Sequence, residues 1–234
     1  MKLTADYHTH TVFSHGTGGV DDNVKAALKA GLVTVGITDH STANLAYGIK
    51  KGRLGQYIET IEAAKKRYAG RIDIKSGLEL NLTGLDGSAD IPEGYRFDIL
   101  ILGFHKSALP IDIETAWTFF TGKCFGHIKA ITDAYMFAIQ KRRIDIISHP
   151  GYGVPVDYRM LGRACADYGT LFEINEKHPD LSAEDINAAA SEGARFVISS
   201  DAHRPQDVGR VTRALALARK AGLSIRQIAN AREG

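Results

Sequence analysis

At 234 residues and 44% hydrophobic content, the chain can bury one sizeable core and suits one α/β barrel-like domain, residues 1–234, better than two. The 29 Lys plus Arg nearly cancel the 27 Asp plus Glu, which argues against a global drive toward nucleic acid or anionic membranes and leaves any attraction for anions to local groups. Cys124 and Cys165 show no Cys-x-x-Cys spacing, the first residues carry no apolar signal core, and no apolar run nears the roughly 20 residues of a membrane span. A soluble cytoplasmic protein is the expectation, with no disulfide framework, thiolate metal site or membrane partner.

Leu3 to Tyr7 reads as a first strand ending in His8-Thr9-His10, followed by a glycine-rich loop from Ser14 to Gly19. Asp21 or Asp22 can cap a helix that runs to Ala30 and stops at Gly31. The β-branched run Val33 to Thr38 ends in Asp39-His40, and the spacing of Tyr57, Ile58, Ile61 and Ala64 predicts a helix from Gln56 to Tyr68. Strands over 72–78 and 97–103 lead into Glu79 and Phe104-His105. Lys106 to Gln140 reads as an irregular insertion, with a Gly-Lys-Cys-Phe-Gly turn, followed by a crossover helix from about Ile128. A strand over 144–148 runs into His149-Pro150, and helix 158–168 precedes strand Leu171 to Asn175. Ser182-x-x-Asp185 has capping-box character for the next helix. A strand over 196–200 ends in Asp201-Ala202-His203, and a last helix spans Val208 to Ala221 before a short tail. About seven strands alternate with helices, the pattern of a parallel α/β sheet, where working residues gather at the C-terminal strand ends.

His8 and His10 alternate with Thr9 and so point the same way, about 7 Å apart in an extended strand. His15, His40, Glu79, His105, His149, Asp201 and His203 each fall at or just beyond a strand-like run, which implies one shared site. Seven histidines among nine candidate ligands favour zinc, manganese or iron over the hard cations calcium and magnesium. Nine ligands exceed what one ion takes, so two or three ions are implied, with Glu79 and Asp201 as candidate shared ligands. Three divalent ions against two carboxylates leave excess positive charge, which calls for an anionic substrate. A phosphate monoester fits, because clustered ions bind its oxygens and deprotonate water near neutral pH. Arg204 and Lys106, each next to a candidate ligand, can add charge-assisted hydrogen bonds to phosphate or serve only as solvated surface cations.

These motifs (His8-Thr9-His10, His15, Thr38-Asp39-His40, Gly77-Leu78-Glu79, Gly103-Phe104-His105, Ser148-His149-Pro150 and Ser200-Asp201-Ala202-His203) resemble those of the PHP family, the polymerase and histidinol phosphatase domain. The resemblance spans residues 8 to 203 and fills all nine ligand positions with the expected types. It implies a distorted (βα)7 TIM-like barrel and a trinuclear site, with zinc the first choice and manganese or iron the alternatives. It implies one ion on His8, His10, Glu79 and Asp201, a second on Glu79, His105 and His149, and a third on His15, His40 and His203. A metal-bridging hydroxide is then the nucleophile, and Glu79, Asp201 and His203 are the expected catalytic residues. Residues 112–129 do not match the family pattern, which leaves the phosphate ester open; the oligomeric state is open as well.

Asp39 is expected to hold a ligand imidazole by a hydrogen bond, His127 and His178 to lie on the surface, and Asn175 to touch substrate or cap a loop. Lys65-Lys66-Arg67 and Lys141-Arg142-Arg143 read as helix-end cations. A phosphatase acting on a small phosphorylated substrate is favoured. A nuclease would show a basic track for a nucleic-acid backbone, and a non-catalytic binding module would be expected to have lost ligands.

Overall fold

The computed structural model describes all 234 residues. Nine strands form: β1 (Lys2–Leu3), β2 (Ala5–Asp6), β3 (Thr34–Ile37), β4 (Asp73–Asn81), β5 (Ile99–Gly103), β6 (Ile146–Ile147), β7 (Leu171–Asn175), β8 (Phe196–Ser199) and β9 (Ala231–Arg232). Seven α-helices lie between them: α1 (Val20–Lys29), α2 (Leu54–Arg67), α3 (Ile113–Phe125), α4 (Ile128–Lys141), α5 (Tyr158–Tyr168), α6 (Ala183–Ser191) and α7 (Thr212–Lys220). None is long and apolar enough to cross a membrane.

Strands β2 to β8 make one seven-stranded sheet in sequence order, all parallel. Its two edges meet beyond β2 and β8, where the Ala202 N–H donates to His8 O at 3.3 Å and the His10 N–H to Ala202 O at 2.8 Å. Two buried side chains hold this seam. Asp6 accepts from Ser200 N (3.1 Å), Ser200 Oγ (2.5 Å) and Gly209 N (2.8 Å), and Asn230 donates to Ala5 O (2.7 Å) and Ile198 O (2.6 Å). The sheet thus nearly closes into a distorted (βα)7 TIM-like barrel with its helices outside. β1, which overlaps the start of the expected first strand, and β9, within the expected tail, pair antiparallel.

Strand alternation divides the barrel into two zones. Ile99, Ile101, Ile146 and Val197 form an apolar cluster separate from the 51-residue main core. On β4 and β7, Leu78, Leu80, Phe172 and Ile174 join that main core, while Glu79, Asn81, Glu173 and Asn175 alternate with them on the other face. Apolar residues therefore fill one end of the lumen, and buried polar side chains converge at the C-terminal end.

Three expectations change. The stretch expected to be irregular is helix α3: Asp112 accepts from Thr115 N at 2.7 Å, and Gly126, at φ 72°, ends it in the left-handed region. The pentapeptide read as a turn is its last turn. Aromatic, β-branched and glycine residues lower helix propensity here, and apolar groups on both faces hide the helical period. Helix α1 begins at Val20, with Gly19 at its cap and Asp22 in its first turn accepting from Gly19 N at 2.9 Å. Helix α7 begins at Thr212 rather than Val208, because a 3-10 turn over Pro205–Asp207 and Gly209 at φ 76° intervene.

Candidate active site

Glu79 sits at the centre of the polar zone. Its Oε2 lies 2.9 Å from His40 Nδ1, 3.3 Å from His8 Nε2 and 3.5 Å from His10 Nε2. Its Oε1 lies 2.8 Å from His149 Nε2 and 3.2 Å from His105 Nε2, and accepts from Ser148 Oγ at 3.1 Å. Asp201 Oδ1 is 3.2 Å from His10 Nε2, 3.4 Å from His203 Nδ1 and 3.8 Å from His8 Nε2. The His15 ring centroid lies 4.1 Å from that of His203 and 5.0 Å from that of His40. All nine side chains singled out from the sequence therefore gather in one cluster. His149 (φ 29°) and Asp201 (φ 51°) are the only non-glycine residues at positive φ, a strain that surrounding contacts must hold.

Many polar atoms of these side chains are buried without a hydrogen-bond partner: His8 Nε2, both His10 nitrogens, His15 Nδ1, His40 Nδ1, His149 Nδ1, Glu79 Oε2 and Asp201 Oδ1. Several stand within contact distance of one another but not along a donor direction. Each such group costs about 1–3 kcal/mol unless something satisfies it, and lone pairs aimed at a common space are satisfied by cations. Three sets have ligand atoms within 4.8 Å of one another: His8, His10 and Asp201; His40, Glu79 and His105; and His10, His40 and His203. Imidazole with carboxylate suits zinc, manganese or iron. These residues fit bound divalent metal. A cleft of about 600 Å³ opens over them.

Residues 6–173 match the PHP domain. The chain belongs to the PHP family. It is 32% identical to a protein of Thermoanaerobacter sp. (strain X514) named "Probable phosphatase", over 96% of this chain and 89% of that one. A protein of the same name from Caldanaerobacter subterraneus subsp. tengcongensis is 28% identical over 93% of this chain and 83% of its own length. The fold is similar to that of histidinol phosphate phosphatase from Lactococcus lactis subsp. lactis Il1403, with a TM-score of 0.66 at 16% identity, covering 96% of this chain and 95% of that one. That crystal structure is a complex with Zn, L-histidinol and phosphate. As a PHP protein with phosphatase relatives, the chain is a metal-dependent phosphoesterase.

The electrostatics of the PHP site suit metal ligands. Burial raises the carboxyls of Glu79 and Asp201, but the surrounding histidines, His8 first, outweigh it and hold both well below the ordinary range. Both are charged at neutral pH. Burial pushes His10 far down, His15 to about 3 and His40 to about 4, so these imidazoles are neutral, as metal binding requires. His8 moves the other way. Burial opposes its charge, yet Glu79, Glu173 and Asp201 together raise it well above the usual value.

Glu173, which the sequence reading passed over, is the main addition to the PHP site. It is fully buried on β7, accepts from His8 Nδ1 at 2.8 Å, from His149 N at 2.7 Å and from Asn175 Nδ2 at 2.8 Å, and so orients His8 and fixes the strained His149 backbone. A lone acid inside Leu171-Phe172-Glu173-Ile174-Asn175 was the available signal. Asn81 plays the matching part for His105, at 2.8 Å from its Nδ1. Asn175 caps a loop, its Oδ1 accepting from the N–H groups of Lys177 and His178, and its Nδ2 lies 3.3 Å from Asp201 Oδ2.

Asp39 holds no imidazole. It accepts from Thr11 N and Oγ1, both at 2.7 Å, and from Ser14, and so braces the loop between His10 and His15. His178, expected on the surface, lies in the cleft wall, 3.5 Å from Asp201 Oδ2, with its ring 4.0 Å from that of Tyr152. His127 heads α4, away from the cleft lining. Lys106 lines the cleft together with Lys123 and Lys177, whereas Arg204 lies outside it, exposed, with its Nε 2.7 Å from Asp207 Oδ2.

Proposed function

We propose that residues 1–234 act as one phosphomonoesterase domain that binds three divalent ions, zinc first and manganese or iron as alternatives, and cleaves a small phosphorylated alcohol. The observation that carries this reading is the set of buried nitrogen and carboxylate atoms without partners beneath the cleft. His8, His10, Glu79 and Asp201 would hold one ion, Glu79, His105 and His149 a second, and His15, His40 and His203 a third, with Glu79 Oε2 3.3 Å from His8 Nε2 and 3.5 Å from His10 Nε2. His40 stands between the last two sets, because its Nδ1 is only 2.9 Å from Glu79 Oε2. Divalent ions held there would supply positive charge for phosphate oxygens and the departing alkoxide, and would make water acidic enough for hydrolysis near neutral pH.

The chain's own residues do the rest. Glu173 and Asn81 fix the tautomers of His8 and His105 through their Nδ1 atoms. Lys106, exposed at the cleft edge, and Lys177, whose Nζ lies 2.9 Å from His203 Nδ1, are placed to meet phosphate oxygens. Tyr152 and His178, their rings 4.0 Å apart and tilted by 41°, form an aromatic wall beside the cluster against which the alcohol can lie. The Lactococcus lactis relative places histidinol phosphate in the panel of esters to try.

The test is metal analysis of the purified protein together with rates on phosphomonoesters and on bis-p-nitrophenyl phosphate. Monoesters are expected to be preferred, with Asp201→Ala and His10→Ala losing metal and rate together. Full activity at unchanged metal content in both variants would overturn the mechanism. Preference for the diester would move the assignment to a nuclease.

A further inference from the structure

Helix α3 turns one face inward, through Thr115, Thr118, Phe119 and Gly122, and exposes a second apolar face opposite. Ile113 is 88% exposed, Trp117 60%, Phe120 51% and Phe125 65%, and Cys124 is exposed beside them. The Trp117 and Phe125 rings stack, with centroids 6.0 Å apart. At about 150–250 Å² per aromatic side chain, the three rings leave on the order of 350 Å² uncovered. Ile113 on the same face, Leu109 and Ile111 just before α3 and Ile128 just after it are exposed as well. Summed over these side chains, the exposed apolar area on and beside α3 exceeds roughly 600 Å² and approaches the roughly 800 Å² that each partner gives a standard interface.

We propose that α3 is a dimer interface, pairing antiparallel with α3 of a second copy of this chain. The stripe Ile113, Trp117, Phe120 and Cys124 is spaced four, three, four, which reads the same from either end. A two-fold axis perpendicular to the helix therefore sets Trp117 against the partner's Phe120 and Ile113 against the partner's Cys124, an isologous contact. At 100° per residue, Glu114 and Lys123 flank the stripe on opposite sides. Glu114 then faces the partner's Thr121 and Lys123 faces the partner's Ala116, so no like charges meet, and the two helix dipoles run head to tail. The stripe itself carries no charge, which suits it to its own copy better than to a strongly charged partner. α3 is capped at both ends by Asp112 and Gly126, so the surface is already ordered. Lys123 also lines the cleft, which brings the partner to the cleft edge.

Sedimentation velocity across the micromolar range is expected to show a species of twice the 25.4 kDa protomer mass. Trp117 is the only tryptophan, so its emission should shift to the blue as that species forms. Phe120→Glu and Ile113→Lys, both at exposed positions, should weaken association at least tenfold with unchanged thermal melting. In Ile113→Cys, a short bismaleimide should join the introduced thiol to the partner's Cys124 and trap a dimer, while wild type should not cross-link through Cys124 alone. A protomer-sized species at every concentration, a dimer untouched by both charge variants, or cross-linking of wild type would each overturn the proposal. A monomer that binds phosphatidylcholine vesicles through Trp117 would overturn it in favour of a membrane surface.

Discussion

Two single residues outside the nine ligands decide how the site is held. Glu173 meets three donors in a place without solvent, so Glu173→Gln must leave at least one of them facing an amide N–H. Orienting partners of metal ligands are typically worth 10- to 100-fold in metal affinity or activity. A fall of about that size in kcat/KM, accompanied by weaker zinc retention in a competition with a chelating dye, is expected for Glu173→Gln. Gly103 makes the second case. A Cβ added there would stand 2.4 Å from Ser148 Oγ and 2.8 Å from His149 Cε1, and neither neighbour can withdraw, since both touch Glu79. Gly103→Ala should cost about 1–3 kcal/mol by overpacking and displace His149; an unchanged melting temperature and unchanged rate would show the wall to be pliant.

Among the elements, α3 differs most from what local sequence suggests. Its Asp112 cap supplies an oxygen to Thr115 N at 2.7 Å, and a lost cap of this type costs about 1 kcal/mol. For a chain of this size that corresponds to roughly 2–4 °C in melting temperature, which calorimetry of Asp112→Ala can read. Because Lys123 of α3 lines the cleft, the same variant should also raise KM more than it lowers kcat. The strands need no such device: their β-branched runs and alternation carry them, and their ends deliver the ligands.

At the scale of the whole molecule, the barrel gathers buried titratable groups at one end of its lumen. With metal removed by a chelator, His10, His15, His40, His178 and His203 are held below the ordinary histidine value, chiefly by burial. Each then binds fewer protons folded than unfolded below about pH 6.5, so its contribution to stability declines as the pH falls through that window. His8 and His149 are raised and work in the opposite direction, but they are two against five. Glu79, Glu173 and Asp201, held low by their histidine neighbours despite burial, add the first sign again in the carboxylate range. The melting temperature of the chelated protein should therefore drop from about pH 7 to about pH 5. Zinc restored at a thousandfold its dissociation constant should add about 4 kcal/mol of stability at neutral pH. A flat profile with no response to zinc would count against the metal assignment.

The sequence alone determined the parallel α/β order, the strand ends and the nine candidate ligands, because a strand's alternation and its polar tip are written within a few consecutive residues. Even the borders of α1 and α7 were legible to within four residues. Only the tertiary structure decided which of these groups touch, that Glu173 lies behind His8, that His178 faces the cleft, and that Asp6 and Asn230 hold the seam. The physical reason is distance along the chain: the His8 to Glu173 contact joins residues 165 positions apart, and such a pair exists only once the sheet has curled and its first and last strands have met.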